Sequence, residues 1–183
     1  MTDIERLLVV GGGGREFALL GEGLRSGISK VYSTRGEDAI NIGIEDVINT
    51  GLGDKNVEAI GSFAAQEEID LVVIGPEAPL IAGVADILRN KGIPTYGPGA
   101  DGAVFEDDKC VTHRFAENYG LPNPDNSETF TPDQREDAKD LIRTLGPDNI
   151  ITKRVGQEGG KGSVGYEADE LEAAFNEVDA VAD

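Results

Sequence analysis

Three stretches of this chain combine residue types that can bind an anion or a polar ligand. In Val9-Val10-Gly11-Gly12-Gly13-Gly14-Arg15-Glu16 an apolar run turns through four glycines into a polar segment. A strand entering a helix through such a turn aims backbone N–H groups outward, which suits a phosphate or a carboxylate. Four consecutive glycines surrender more backbone entropy than helix packing alone demands, although a tight turn without a ligand is the plain alternative. The dinucleotide fingerprint is not met. Glu16 stands where its third glycine belongs, and Thr34-Arg35 rather than an acid closes the second strand, so NAD binding is disfavoured.

The second stretch, Gly75-Pro76-Glu77-Ala78-Pro79-Leu80, follows the apolar run Asp70 to Ile74. Open parallel sheets take ligands at the carboxyl ends of their strands, and a carboxylate there accepts hydrogen bonds from an amine or hydroxyl. Glu77 can equally be a helix N-terminal acid favoured by the dipole. The third stretch sets Lys153 before Gly156-Gln-Glu-Gly159-Gly160-Lys161-Gly162, two cations around a glycine loop that suit a polyphosphate. It lacks the Gly-Lys-Ser/Thr order of a P-loop, and a solvated hairpin is the bland reading. Cys110 and His113, three apart on one helix, could form a nucleophile pair, but no orienting acid stands near and packing is the better account.

The elements that must position these groups alternate. Apolar runs at 6–10, 30–33, 45–49, 70–74 and 94–96 predict five strands, the third weak. Between them Phe17, Leu20, Gly21 and Leu24 share one helical face, Val57, Ile60 and Ala64 another, and Leu80, Val84, Ile87 and Leu88 a third. This is the pattern of an α/β parallel sheet covered on both faces, with the loops at Gly11 and Gly75 side by side at its carboxyl edge. The turn Gly97-Pro-Gly-Ala-Asp-Gly predicts a boundary, giving domains at 1–100 and 101–183. Beyond it the expected order is a helix over 105–119, a helix begun by Thr131-Pro132-Asp133-Gln134 and ended at Gly146, a strand 149–153, the glycine loop, a strand 163–166 and a helix from 169 to 178. That is a small α+β unit.

The 183 residues carry 35 acids against 16 bases, a net charge of -19. A general basic field for nucleic acid is excluded, and since acids dominate in both halves the bias reads as a solvated coat, as in a high-salt proteome. No apolar run approaches the roughly 20 residues of a membrane span. The run Leu7 to Val10 is too short for a signal-peptide core, so the cytoplasm is the expected location. One cysteine and one histidine exclude an internal disulfide and a zinc cage.

Taken in order, Gly11 to Glu16, Gly75 to Leu80, Lys109, and Lys153 to Gly162 resemble the phosphoribosylamine-glycine ligases, ATP-grasp enzymes of purine biosynthesis. The resemblance spans the whole chain but only the amino-terminal part of such an enzyme. It implies a Rossmann-like pre-ATP-grasp domain followed by the small ATP-grasp subdomain, with the larger subdomain outside this sequence. On the substrate side it implies Gly13, Gly14, Arg15, Glu16, Gly75, Pro76 and Glu77. For ATP it implies Lys109, Lys153, Gly159, Gly160, Lys161 and Gly162. The substrates would be glycine, 5-phosphoribosylamine and ATP, joined to give glycinamide ribonucleotide. Mg²⁺ would assist from acids in the larger subdomain, so no metal ligand and no catalytic residue is assigned here. The chain alone is expected to be inactive, with a companion chain carrying the rest of the fold as one partner. The rivals are a non-catalytic nucleotide-binding remnant and another ATP-grasp carboxylate-amine ligase. Four departures from the family pattern stand out: Phe17 for a histidine, Asp108 for a serine, Val155 for an aspartate, and Arg35-Gly36-Glu37-Asp38 for a Gly-Asn pair.

Overall fold

Leu7 to Val10 and Val72 to Ile74 are continuous apolar runs, and such runs shed water on both faces only at the middle of a covered parallel sheet. The computed structural model, which describes residues 4–35, 46–123, 128–153 and 163–182, has them there. Five strands, β1 (Arg6–Val10), β2 (Lys30–Ser33), β3 (Val47–Asn49), β4 (Leu71–Ile74) and β5 (Thr95–Tyr96), lie in the order β3-β2-β1-β4-β5. All pairs are parallel, with Val9 opposite Ser33 on one side and Val73 on the other. The order reverses between β1 and β4. The connections from these two strands therefore leave toward opposite sides and open a crevice at the carboxyl edge.

The period of two in β1 decides what covers each face. Leu8 and Val10 join Ile60, Val72, Val84 and Leu88 in one cluster, which packs beneath helices α2 (Val57–Gln66), α3 (Glu77–Ile81) and α4 (Val84–Asn90). Leu7 and Val9 join Leu20, Val31 and Val47 in the other, under helix α1 (Gly14–Arg25). Burying each such side chain contributes about 1.5–3 kcal/mol. Gly23 lets α1 lie close to the sheet, since a Cβ there would stand 2.8 Å from Leu7 Cδ2. Leu80, Val84 and Leu88 share one cluster as their spacing predicts, but not one helix. Gly83, at φ 82, breaks it into α3 and α4.

The chain divides into two compact units, Met1–Val104 and Phe105–Asp183. The single helix expected over 105–119 is instead two, α5 (Ala100–Asp107) and α6 (Lys109–Asn118). The reason lies in Asp108. Its backbone is extended, and its Oδ1 accepts from the N–H of Cys110 at 2.8 Å and of Val111 at 3.3 Å, so the side chain starts a new helix where a continuing helix would use a carbonyl. Thr131 and Gln134 form the expected start: Gln134 Oε1 accepts from the Thr131 N–H and hydroxyl at 3.1 and 2.8 Å, and one 3-10 turn leads into α7 (Arg135–Leu145). Gly146, at φ 84, ends α7. Strands β6 (Ile151–Lys153) and β7 (Ser163–Gly165) form an antiparallel pair, shorter than the runs predicted, and α8 (Leu171–Ala182) closes the unit.

Candidate functional site

The crevice is built from the first glycine outward. Gly11, at φ 118, donates its N–H to Thr34 Oγ1 at 3.0 Å, and its carbonyl accepts from Ser33 Oγ at 3.4 Å. Both hydroxyls are buried at the end of β2, so they replace water for a backbone that the strand ladder no longer serves. From the neighbouring strand, Gly75 donates its N–H to the Val10 carbonyl at 3.1 Å. The Pro76 ring then closes over Gly11, where a Cβ would come within 2.6 Å of Pro76 Cδ. The two glycine loops stand side by side at the carboxyl edge, as the strand pattern predicts.

Glu16, at the third position of α1, reaches back so that Oε2 accepts from the Gly13 N–H at 2.6 Å. It is 3% exposed. Its neighbour Arg15 is open to solvent. The Arg15 guanidinium lies 3.6 Å from Glu77 Oε2 through Nη2 and 3.9 Å from Glu16 Oε1 through Nε, which ties the two loops electrostatically. Glu77, at the start of α3, is half-buried, while Gly13 and Gly14 are exposed. Chemically, the α1 N-terminus and Arg15 favour an anionic group, and Glu77 can accept from an amine or hydroxyl beside it.

In the second unit, Lys109 opens α6 and is half-buried. Lys153 ends β6, exposed, opposite Ser163. Gly159, Gly160, Lys161 and Gly162, with Val155, lie outside the described residues, so the phosphate loop receives no structural account. Cys110 and His113 each find a different partner: Cys110 Sγ is 3.0 Å from Thr129 Oγ1, and His113 Nδ1 is 2.6 Å from Asn123 Oδ1. A Cys-His nucleophile has no support in that geometry. Hydrogen bonds from the Cys110 side chain and N–H hold the Asp108 carboxyl below its usual range. Among the described residues no group of three His, Cys, Asp or Glu is placed to hold a metal ion.

Sequence reasoning passed over Ser33 and Thr34, whose signal was two hydroxyls ending the strand beside the glycine turn. It also passed over Asp86 and Arg89 on α4. Asp86 Oδ2 accepts from the Ala100 N–H at 2.8 Å, and Arg89 donates to the carbonyls of Thr95 and Gly97, fixing the turn that leaves the sheet.

Residues 5–106 match the family described as phosphoribosylglycinamide synthetase, N domain. The chain is 38% identical over 174 residues to a phosphoribosylamine-glycine ligase of Rhizobium meliloti (strain 1021), covering 94% of this chain and 40% of that protein. It is 37% identical over 163 residues to the trifunctional purine biosynthetic protein adenosine-3 of Drosophila melanogaster, covering 87% and 12%. The chain thus spans only 12% to 40% of the length of these curated relatives. Among solved structures, a biotin carboxylase from Campylobacter jejuni in complex with β-γ-ATP is similar with a TM-score of 0.69 at 20% identity, over 98% of this chain and 42% of that one. N5-carboxyaminoimidazole synthetase from Staphylococcus aureus, complexed with ADP, has a TM-score of 0.58 at 14% identity, over 95% and 44%. At such identities the likeness concerns the fold: a Rossmann-like parallel sheet followed by a small α+β unit.

Proposed function

Because the chain belongs to the phosphoribosylglycinamide synthetase N-domain family, we propose that it supplies the substrate-side half, and part of the ATP site, of a cytoplasmic phosphoribosylamine-glycine ligase. The reaction would phosphorylate the glycine carboxylate with ATP and let the amine of 5-phosphoribosylamine displace the phosphate, giving glycinamide ribonucleotide, ADP and phosphate. The observation that carries the reading is the approach of Arg15 to Glu77 at 3.6 Å, across two glycine loops that open the crevice of one sheet. There Gly13, Gly14 and Arg15 would face an anionic part of the ribonucleotide. Glu77, on the loop with Gly75 and Pro76, would accept from its amine or hydroxyls and orient it. Glu16 holds the first loop in place.

Lys109, Lys153 and Lys161, with the amides of Gly159 to Gly162, would meet the phosphates of ATP, as point charges and flexible donors suit. Mg²⁺, when bound, offsets phosphate charge. Its acids and the rest of the adenine pocket would come from the part of the relatives that this chain does not match.

The test is an amide-resolved NMR titration of the chain with glycinamide ribonucleotide and, separately, ATP. The ribonucleotide should shift the amides of Gly13 to Glu16, Gly75 and Glu77, and Glu77→Ala should abolish this. ATP should bind at about millimolar affinity, near 4 kcal/mol, weaker in Lys153→Ala and unchanged in Cys110→Ala. No ligase turnover is expected from the chain alone. Shifts confined to other surfaces, or equal ATP curves for Lys153→Ala and the parent, would overturn the assignment.

A further inference from the structure

Glu16 is a charged side chain that the crevice hides. It is 3% exposed, and while Oε2 accepts from the Gly13 N–H at 2.6 Å, Oε1 has no hydrogen-bond partner among the described residues and stands 3.9 Å from Arg15 Nε. A buried carboxylate oxygen without a donor costs free energy, and the α1 dipole compensates only in part. The fold must gain something from keeping it.

What surrounds the carboxylate is glycine from two loops. A Cβ on Gly75 would overlap Oε1 and lie 2.6 Å from Cγ; one on Gly11 would lie 2.8 Å from Cγ, and one on Gly13 2.9 Å from Oε2. Gly11 has a positive φ that independently favours glycine, but Gly13 sits at φ -87 and Gly75 is not among the positive-φ glycines. Their backbones would accept any residue. The nearest atoms that a side chain would meet there are those of Glu16. Gly75 of the second loop and the acid of the first are thus parts of one fitting.

We propose that Glu16 is a positioning residue, a wedge seated between residues 11–14 and 75–77 that sets the spacing of the two loops, and with it the approach of Arg15 to Glu77, without touching the ligand. The wedge is a property of the fold. That the spacing serves a ribonucleotide rests on the function proposed above.

A double-mutant cycle separates the two. Gly75→Ala should lower the urea midpoint, because its Cβ meets the carboxylate, and Glu16→Ala alone should change the midpoint little. The combination should recover most of the Gly75→Ala loss, since the new methyl enters the space the acid vacated. Additive losses would overturn the wedge. If Gly75→Ala does not fold, folding of the double variant supports the proposal and its failure overturns it. The second readout is the glycinamide ribonucleotide titration. Glu16→Gln, which keeps the shape and the bond to Gly13, should stay within about threefold of the parent affinity, whereas the folded double variant should bind about tenfold weaker, the usual consequence of slack positioning. Unchanged affinity in Glu16→Ala would also overturn it. A parent chain that ignores the ribonucleotide sinks the proposed function instead, and the stability cycle alone then decides the wedge.

Discussion

In the sheet unit, Leu8, Val9, Val10, Val31, Ile60, Val72, Val84 and Leu88 are wholly removed from solvent, whereas in the unit from Phe105 onward the buried apolar residues among those described are Ala116, Ala138, Ile142, Pro147 and Ala174. Three of those five are alanines. The second unit compensates with polar contacts: Lys139 Nζ pairs with Asp179 Oδ1 at 2.6 Å, and the Phe175 ring has the Arg143 guanidinium 4.6 Å and Lys139 Nζ 5.8 Å from its centre. Helices α7 and α8 are thereby clasped by charge and aromatic faces more than by apolar volume. The difference teaches where rigidity is invested. A crevice that must hold Arg15 and Glu77 in register stands on a dense apolar sheet, while a unit proposed to meet a nucleotide stands on contacts that open at lower cost.

The sharpest way to break this contrast is to hollow the sheet. Leu8→Ala removes a fully buried side chain from the middle of β1, with no surface route for the cavity to collapse. A loss of about 2–5 kcal/mol is expected in urea unfolding followed on the sheet residues. The α7 and α8 signals should lose much less. Equal losses in both units would show that one core serves the whole chain.

A second variant probes the other side of the comparison. Lys139→Met keeps the aliphatic stem but removes the charge from a side chain 13% exposed, leaving Asp179, which is 43% exposed and can turn to water. The expected loss is about 1 kcal/mol, in the range of partly exposed ion pairs with an aromatic neighbour. Because the chain carries a net charge of -19, salt will shift every variant by screening self-repulsion, so the diagnostic quantity is the difference between parent and variant. That difference should shrink toward 1 M salt, where the screening length is about 3 Å, while the Leu8→Ala difference should not. A gap indifferent to salt would mean that Lys139 acts through packing.

How far the sequence carried the reading follows the same divide. The strands of the sheet unit were legible because apolar runs bounded by turns leave little choice of period, and β1, β2, β4 and β5 form where they were expected. The side-by-side loops followed from topology alone. What periodicity could not show was where a helix breaks, since Leu80, Val84 and Leu88 keep a helical spacing across Gly83 although that glycine is left-handed. Nor could it show that Glu16 is buried, because an acid three residues into a helix is normally solvated and the close approach of Gly75 from the end of β4, beside Gly11 and Gly13, depends on the fold. The two hydroxyls of Ser33 and Thr34 could be seen, but not their role, which depends on which strand lies beside β1. In the second unit, where apolar signal is thin, one helix was expected over 105–119, and the break between α5 and α6 depends on the Asp108 side chain turning back onto the N–H groups of Cys110 and Val111.

That break supplies the smallest expected effect and the finest test of a unit held by polar contacts. Asp108 caps α6 through the N–H groups of Cys110 and Val111, and its carboxyl is held below the usual range by hydrogen bonds from Cys110 first, then Val111, with Arg114 adding attraction. A carboxyl whose folded value is depressed contributes stability that is fully present above its unfolded value, near 3.9, and that is lost as pH falls through the lower folded value. At pH 6 Asp108→Ala should therefore melt slightly below the parent, while Asp108→Ser, which keeps a capping oxygen, should match it. As the pH is taken down from 6 toward and through the lowered folded value, the charge contribution fades, so the gap to Asp108→Ala should narrow. Other carboxylates titrate in the same window, but equally in all three proteins, so they cancel in the differences. Helix content followed by circular dichroism during melting reads both gaps. If Asp108→Ala melts with the parent already at pH 6, the side chain is not what starts α6; a gap that keeps its size from pH 6 to pH 3 would show that the cap acts without its charge.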